Sequence, residues 1–154
     1  MMAARTIRIW AAEKTSGERV DEEVLVEEVG EGRWRLIASP GLAQGIAADD
    51  VIELDEAGRA WPVSRGGNLA IHIFAPAEHG DDLLPRMSAL GGRRDGQTPS
   101  LTVYTVPVTA GFPAVEAILT DFVRSHPSAE WYYGNVYDDD GVTPLLWWET
   151  DKID

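Results

Sequence analysis

Gly32–Leu54 reads GRWRLIASPGLAQGIAADDVIEL, and its parsing decides the fold. Trp34 and Leu36 alternate with Arg33 and Arg35, the period-two pattern of a half-buried strand. Ser39-Pro40-Gly41 turns the chain, because Pro presets its own φ and Gly accepts conformations other residues avoid. Leu42, Ala43 and Ile46 are the apolar members of the loop that follows, so they plug it against a core. Asp50–Leu54 is then a second strand. Strand, corner, plugged loop and strand, with no helix between, describe a β module. The stretch holds no recognisable catalytic chemistry.

Upstream, Thr6–Trp10 alternates Ile7 and Ile9 with Arg8 and Trp10, and Glu22–Val29 is rich in β-branched residues before Gly30-Glu31-Gly32. Both read as strands, the second forming a hairpin with residues 33–37. Downstream, residues 59–64 form a last short strand whose Pro62 belongs at an edge or bulge. Residues 1–66 are therefore expected to be a small N-terminal β-barrel or curled sheet.

After Arg65-Gly66-Gly67 the pattern changes. Residues 68–75 (NLAIHIFA) form an apolar strand. Residues 78–90 place Leu83, Leu84, Met87 and Leu90 at helical spacing, with Asp81 or Asp82 as cap and Pro85 in the first turn. Residues 101–108 alternate as a strand. Residues 113–126 give the best helix, with Val115, Ile118, Leu119, Phe122 and Val123 on one face. Residues 130–137 and 145–149 read as two aromatic strands around an Asp-rich turn. The order β-α-β-α-β-β over residues 67–154 predicts a ferredoxin-like or ACT-like α/β sandwich, making the chain α+β in two parts.

Composition bounds the function. The 154 residues contain no cysteine, which excludes disulfides and thiolate chemistry. No run reaches the roughly 18 apolar residues of a membrane span, and the first residues lack the apolar core of a secretory signal. A cytoplasmic protein with no membrane association is expected. The net charge of −13 is uneven: residues 1–64 and 127–154 each carry −6, and the middle carries −1. Such a surface repels phosphate backbones, so nucleic acid is not an expected partner. A basic protein partner or a homodimer is compatible with it.

The hairpin ending Trp34-Arg35-Leu36, the run Ser39-Pro40-Gly41-Leu42-Ala43-x-Gly45-Ile46-Ala47-x-Asp49-Asp50-Val51 and the crossing Arg65-Gly66-Gly67-Asn68 together resemble a bacterial family, domain of unknown function 4265. The resemblance covers about residues 20–126, with its most specific part in the first half. It implies the fold and carries no established activity. The family tends to have Gly-Asp where this chain has Asp49-Asp50, and often Gly-His where it has Gly66-Gly67. The residue that would have been the natural candidate for chemistry is thus absent.

A search by residue type finds little catalysis. His72 shares a strand face with Ala70 and Phe74, where a satisfied structural imidazole is the simplest reading; His79 and His126 sit at helix ends. No His pair has metalloprotease spacing, and neither a nucleophile elbow nor a phosphate loop is present. Ser39 and Ser64 lack an identifiable base. An enzyme would need an acid–base pair from Asp49, Asp50, His72 or Glu116, and nothing in the spacing demands one. No cofactor is expected. Asp138-Asp139-Asp140-Gly141 offers Asp138 and Asp140 as weak metal ligands, but Val142 and Thr143 occupy loop positions that a calcium loop gives to a ligand and to Gly. A hairpin turn with Gly141 at positive φ is the stronger reading.

The aromatic cluster is the distinctive feature. Trp131, Tyr132, Tyr133, Tyr137, Trp147 and Trp148 lie close together in sequence, and adjacent strand residues face opposite ways. One member of each neighbouring pair must lie on a second face, forming an internal interface, a partner surface or a ligand pocket. Trp131, Tyr133, Tyr137, Trp147 and Trp148 are the candidate binding residues. The leading expectation is a non-enzymatic interaction module, immunity-like or adaptor-like, with an acidic rim. Its rival is a small-molecule-binding regulatory domain with its ligand in the cleft between the two parts.

Overall fold

Alternating β-rich segments of the first half become five strands in the computed structural model, which describes residues 3–152. They are β1 (Ala4–Glu13), β2 (Arg19–Gly30), β3 (Arg33–Leu36), β4 (Val51–Leu54) and β5 (Ala60–Ser64). Each pairs antiparallel with its successor, giving a meander in chain order. Ile9, Val24, Val26, Leu36 and Ile52 are buried on one face, and Ala43 and Ile46 of the loop plug it as their position in the sequence predicts, whereas Leu42, expected to join them, is exposed.

The sheet curls but closes no barrel among the described residues, a correction to one of the two sequence readings. Trp10 and Arg59 form a single parallel bridge, with the Trp10 N–H donating to the Gly58 carbonyl at 2.9 Å. No further pairs join β1 to β5. A bulge interrupts β1 between Trp10 and Ala12, and Pro62 of β5 has no N–H to offer.

The second half supplies β6 (Asn68–Phe74), α1 (Ala77–Asp81), α2 (Leu84–Ala89), β7 (Arg93–Thr98), β8 (Leu101–Pro107), α3 (Phe112–Ser125) and β9 (Glu130–Tyr133). The sheet order is β7-β8-β6-β9, with every neighbouring pair antiparallel. Leu69, Ile71, Ile73, Tyr104 and Val106 meet Leu83, Met87, Val115, Leu119 and Phe122 from the helices in the main core. Burying each such side chain contributes roughly 1.5–3 kcal/mol. No helix among the described residues is long and apolar enough to cross a membrane.

Three sequence expectations need correction. The helix over 78–90 is two short helices, because Leu84-Pro85 starts a new one, and neither Asp81 nor Asp82 makes a capping bond. Asp81 instead pairs with Arg94 and accepts from Gln97 at 2.8 Å. The polar strand β7, RRDGQT, goes unseen in sequence because it is an edge strand with no apolar residue. The element order of the second half is accordingly β-α-α-β-β-α-β. Finally, β9 stops at Tyr133, and Trp147–Lys152 is a 3-10 turn rather than a strand. Pro144 and Leu146, with φ of 57°, break extension there; Tyr137 and Pro144 form an isolated bridge.

Past β9, the side chain of Asn135 takes over the ladder. Its Oδ1 accepts from the Ala70 N–H at 2.9 Å and its Nδ2 donates to the Asn68 carbonyl at 2.8 Å. A fully buried amide thus stands in for one more residue of strand.

Candidate functional site

The loop of residues 37–50 lies between the two sheets, and its polar contacts determine where clefts open. Its corner is held by the Glu22 carboxylate, which accepts from the N–H groups of Gly41, Leu42 and Ala43 at 2.8, 3.1 and 2.8 Å. Ser39 donates its backbone N–H to Asp95 at 2.9 Å, and its Oγ lies 2.6 Å from Thr105 Oγ1. His72, buried on the face of β6 opposite the helices, has Nε2 3.0 Å from the Pro40 carbonyl. A carbonyl only accepts, so Nε2 carries the hydrogen of this bond. Burial holds the imidazole pKa below its ordinary value. The satisfied His expected from the sequence is what the fold contains.

Asp49 and Asp50 close the loop. Asp50 is 1% exposed and accepts from Ala47 N–H at 3.0 Å, Gly66 N–H at 2.8 Å and Arg65 at 3.2 Å. Burial pushes its pKa above the ordinary carboxylate value, against the pull of those donors, and lowers that of Arg65. Asp49 has φ of 72°, the left-handed region that favours glycine. Here Asp49 is retained by Arg35 at 2.6 Å and Asn68 at 3.0 Å. Glu116 accepts from the Tyr133 hydroxyl at 2.9 Å, and burial, helped by that bond, raises the phenol's pKa.

The candidate aromatics divide. Trp131, Tyr133, Trp147 and Trp148 are half-buried against the main core. Phe112, which the sequence reading did not single out, joins them edge-on, to Tyr133 at 5.5 Å and Trp148 at 5.0 Å. The Trp147 indole donates to the Asn135 carbonyl at 2.8 Å, and Arg65 stands 5.5 Å over its ring. Tyr132 points to the second face and meets Phe74 at 5.7 Å, both rings exposed. Tyr137 alone of the candidates opens onto a large cleft.

That cleft, about 510 Å³, lies where β1 and β5 part. Trp10–Ala12 form one wall, Arg59–Pro62 another, residues 42–46 the floor, and Arg65, Tyr137, Asp138, Asp139 and Leu145 the remaining side. The Arg59 guanidinium stacks 3.9 Å over the Trp10 ring. Asp140 faces its own turn, accepting from the Val142 and Thr143 N–H groups at 2.8 Å and from the Thr143 hydroxyl. These bonds hold its pKa low. Asp138 accepts from Asp139 N–H at 2.7 Å, and Gly141 takes φ of 72°, as the turn reading requires. Among the described residues no cluster of three metal-ligating side chains forms. A smaller cleft of about 340 Å³ runs between the sheets past Ser39, Asp95 and Leu101. Sequence reasoning missed Trp10, Arg59 and Trp61 because they come together only when the sheet curls.

These features define a sheet-rich α+β protein with a plugged loop between two antiparallel sheets. The family model described as Domain of unknown function (DUF4265) matches residues 22–131, and the chain belongs to that family. Its fold is similar to the crystal structure of a hypothetical protein from Neisseria gonorrhoeae, with a TM-score of 0.64 at 15% identity, covering 87% of this chain and 94% of that one. No curated protein matches the chain.

Proposed function

We propose that this chain is a non-enzymatic binding module that takes a small ligand in the cleft between β1, β5 and the Tyr137–Thr143 turn. The observation that carries this reading is the cleft itself, sized for a small molecule and lined by aromatic walls with a few charged groups. Asp49, Asp50, His72 and Glu116 support the non-enzymatic part, since each is engaged in holding the fold and none lines the cleft. For the second half, the element order and the sheet order β7-β8-β6-β9 support a ferredoxin-like reading. The partition of strands before and after residue 66 supports two units, 1–66 and 67–154.

The test is a fragment library screened by two-dimensional NMR, reading the indole signals of Trp10 and Trp61 and the amides of residues 42–46. Hits that shift these signals, and vanish with Trp61→Ala, support the cleft; a library that leaves them unmoved overturns it. The exposed Phe74–Tyr132 pair favours a second reading, a surface for a basic protein partner or a second copy. Sedimentation of the wild type against Tyr132→Ser decides whether self-association occurs there.

A further inference from the structure

Resting on the cleft reading, the geometry points to a specific ligand class: we infer that the cleft binds a short peptide with free amino and carboxyl termini.

The argument starts from charges that do not cancel. Two guanidiniums, Arg59 and Arg65, and two carboxylates, Asp138 and Asp139, line one cavity, yet none of them pairs with another across it. Arg65 is tied to Asp50 and the Gly45 carbonyl. Among the described residues the guanidinium of Arg59 has only the Trp10 ring, and the carboxylate of Asp139 has no ion pair or hydrogen bond. This is notable in a chain with 26 acidic and 13 basic residues, where most arginines find a carboxylate.

Both poles are also braced. Arg59 lies on Trp10, Arg65 is anchored at two points, and the acidic turn is tied by Asp140 and by Asp138 N–H to Thr143 carbonyl at 2.8 Å. Fixed charges cost a ligand little reorganisation. A simple anion meets the carboxylates as well as the −13 surface, and a simple cation meets the guanidiniums. A zwitterion satisfies both poles. Size and walls then select within that class. A volume of about 510 Å³ exceeds what one amino acid fills. Two walls come from β1 and β5 as they diverge past the single Trp10–Arg59 bridge, a gap elongated enough for an extended peptide. Leu42, Trp61 and Leu145 provide an apolar surface for a central side chain.

The test is isothermal titration calorimetry with free leucine and with four alanyl-X-alanine tripeptides, X being leucine, phenylalanine, lysine or glutamate, each also as its N-acetyl and C-amide form. Tripeptides with apolar centres bind best, and blocking either end weakens binding at least tenfold. Arg59→Gln abolishes the penalty for amidation and Asp139→Asn the penalty for acetylation. Both residues are on the surface, and unchanged circular dichroism verifies the fold. Blocked peptides binding as tightly as free ones, or free leucine matching the tripeptides, overturns the inference. Silence from all tripeptides while fragments still shift Trp10 and Trp61 overturns the ligand class and leaves the cleft; silence from both overturns the cleft as well.

Discussion

Gly66 packs against the backbone of Asp49 so closely that a Cβ at position 66 would lie 2.5 Å from the Asp49 carbonyl carbon and 2.6 Å from its oxygen. Real Cβ atoms do not approach backbone atoms that nearly. Asp50, next to Asp49, accepts the Gly66 N–H, so the approach is drawn tight by a half-buried hydrogen bond. Gly66→Ala is therefore expected to cost about 3 kcal/mol through overpacking. Urea unfolding should show a lower midpoint with an unchanged slope. Adding Asp49→Gly should rescue it only in part, because it removes the Asp49 Cβ at 2.4 Å but leaves the carbonyl carbon and oxygen in the way.

The buried pair of Asp50 and Arg65 gives a second expectation. Arg65→Met leaves a carboxylate that is 1% exposed without its cation, and should cost about 3 kcal/mol. Asp50→Asn puts an amide donor against the N–H of either Ala47 or Gly66, and should cost about 2 kcal/mol. The double variant should be at least about 1 kcal/mol more stable than the sum of the two predicts, since the pair is coupled.

His72 makes stability depend on pH in a defined direction. The folded ring holds its proton less firmly than the unfolded chain, whose value is 6.5. Below that pH the unfolded state binds the extra proton first, so stability falls with acidification until the folded pKa is passed. Unfolding free energies measured at intervals from pH 7 downward should decline, and His72→Gln should flatten that slope. An unchanged slope in the variant would remove His72 as its source.

Tyr104 acts at the alkaline end. Its hydroxyl donates to the Gly80 carbonyl at 2.6 Å, and burial pushes its pKa from 10.0 up to about 12. The unfolded chain ionises first as pH rises, so stability contributed here is present below pH 10.0 and is lost toward about 12. Tyr104→Phe should remove that loss and, at neutral pH, cost about 1 kcal/mol for the lost hydrogen bond, the Gly80 carbonyl keeping the Leu83 N–H at 3.2 Å. Difference absorbance of phenolate against pH, compared between the wild type and the variant, checks the titration, and urea unfolding the stability.

How much of this was legible in the sequence differs by element. Strands with an apolar face were readable, since alternation of Trp34 with Arg35 or Ile71 with His72 follows directly from one-sided burial. So was α3, whose buried Val115, Leu119 and Phe122 recur at helical spacing. Strand β7 was not, because its residues are held by ion pairs and by Ile37 and Ser39 of a distant loop, which no local pattern encodes. The aromatic segment misled for a related reason. Trp147 and Trp148 have strand-like composition, but Pro144 and the left-handed Leu146 decide the backbone. The cleft was legible only in Tyr137 and Asp138, since its other walls depend on how far the first sheet curls.

The loop of residues 37–50 has a consequence for how chains of this kind can vary in length. Its two ends belong to β3 and β4, while its middle is bonded to Glu22 on one side and to His72, Asp95, Thr105 and Gly134 on the other. It therefore works as a spacer of fixed thickness between two sheets, and one residue more or less would throw every one of those bonds out of step. Tolerance for insertion should lie instead at the exposed turns, Lys14–Glu18 and Asp138–Thr143. The second of these forms the rim of the cleft, so the same freedom would let relatives reshape what the cleft admits without disturbing the spacer beneath it.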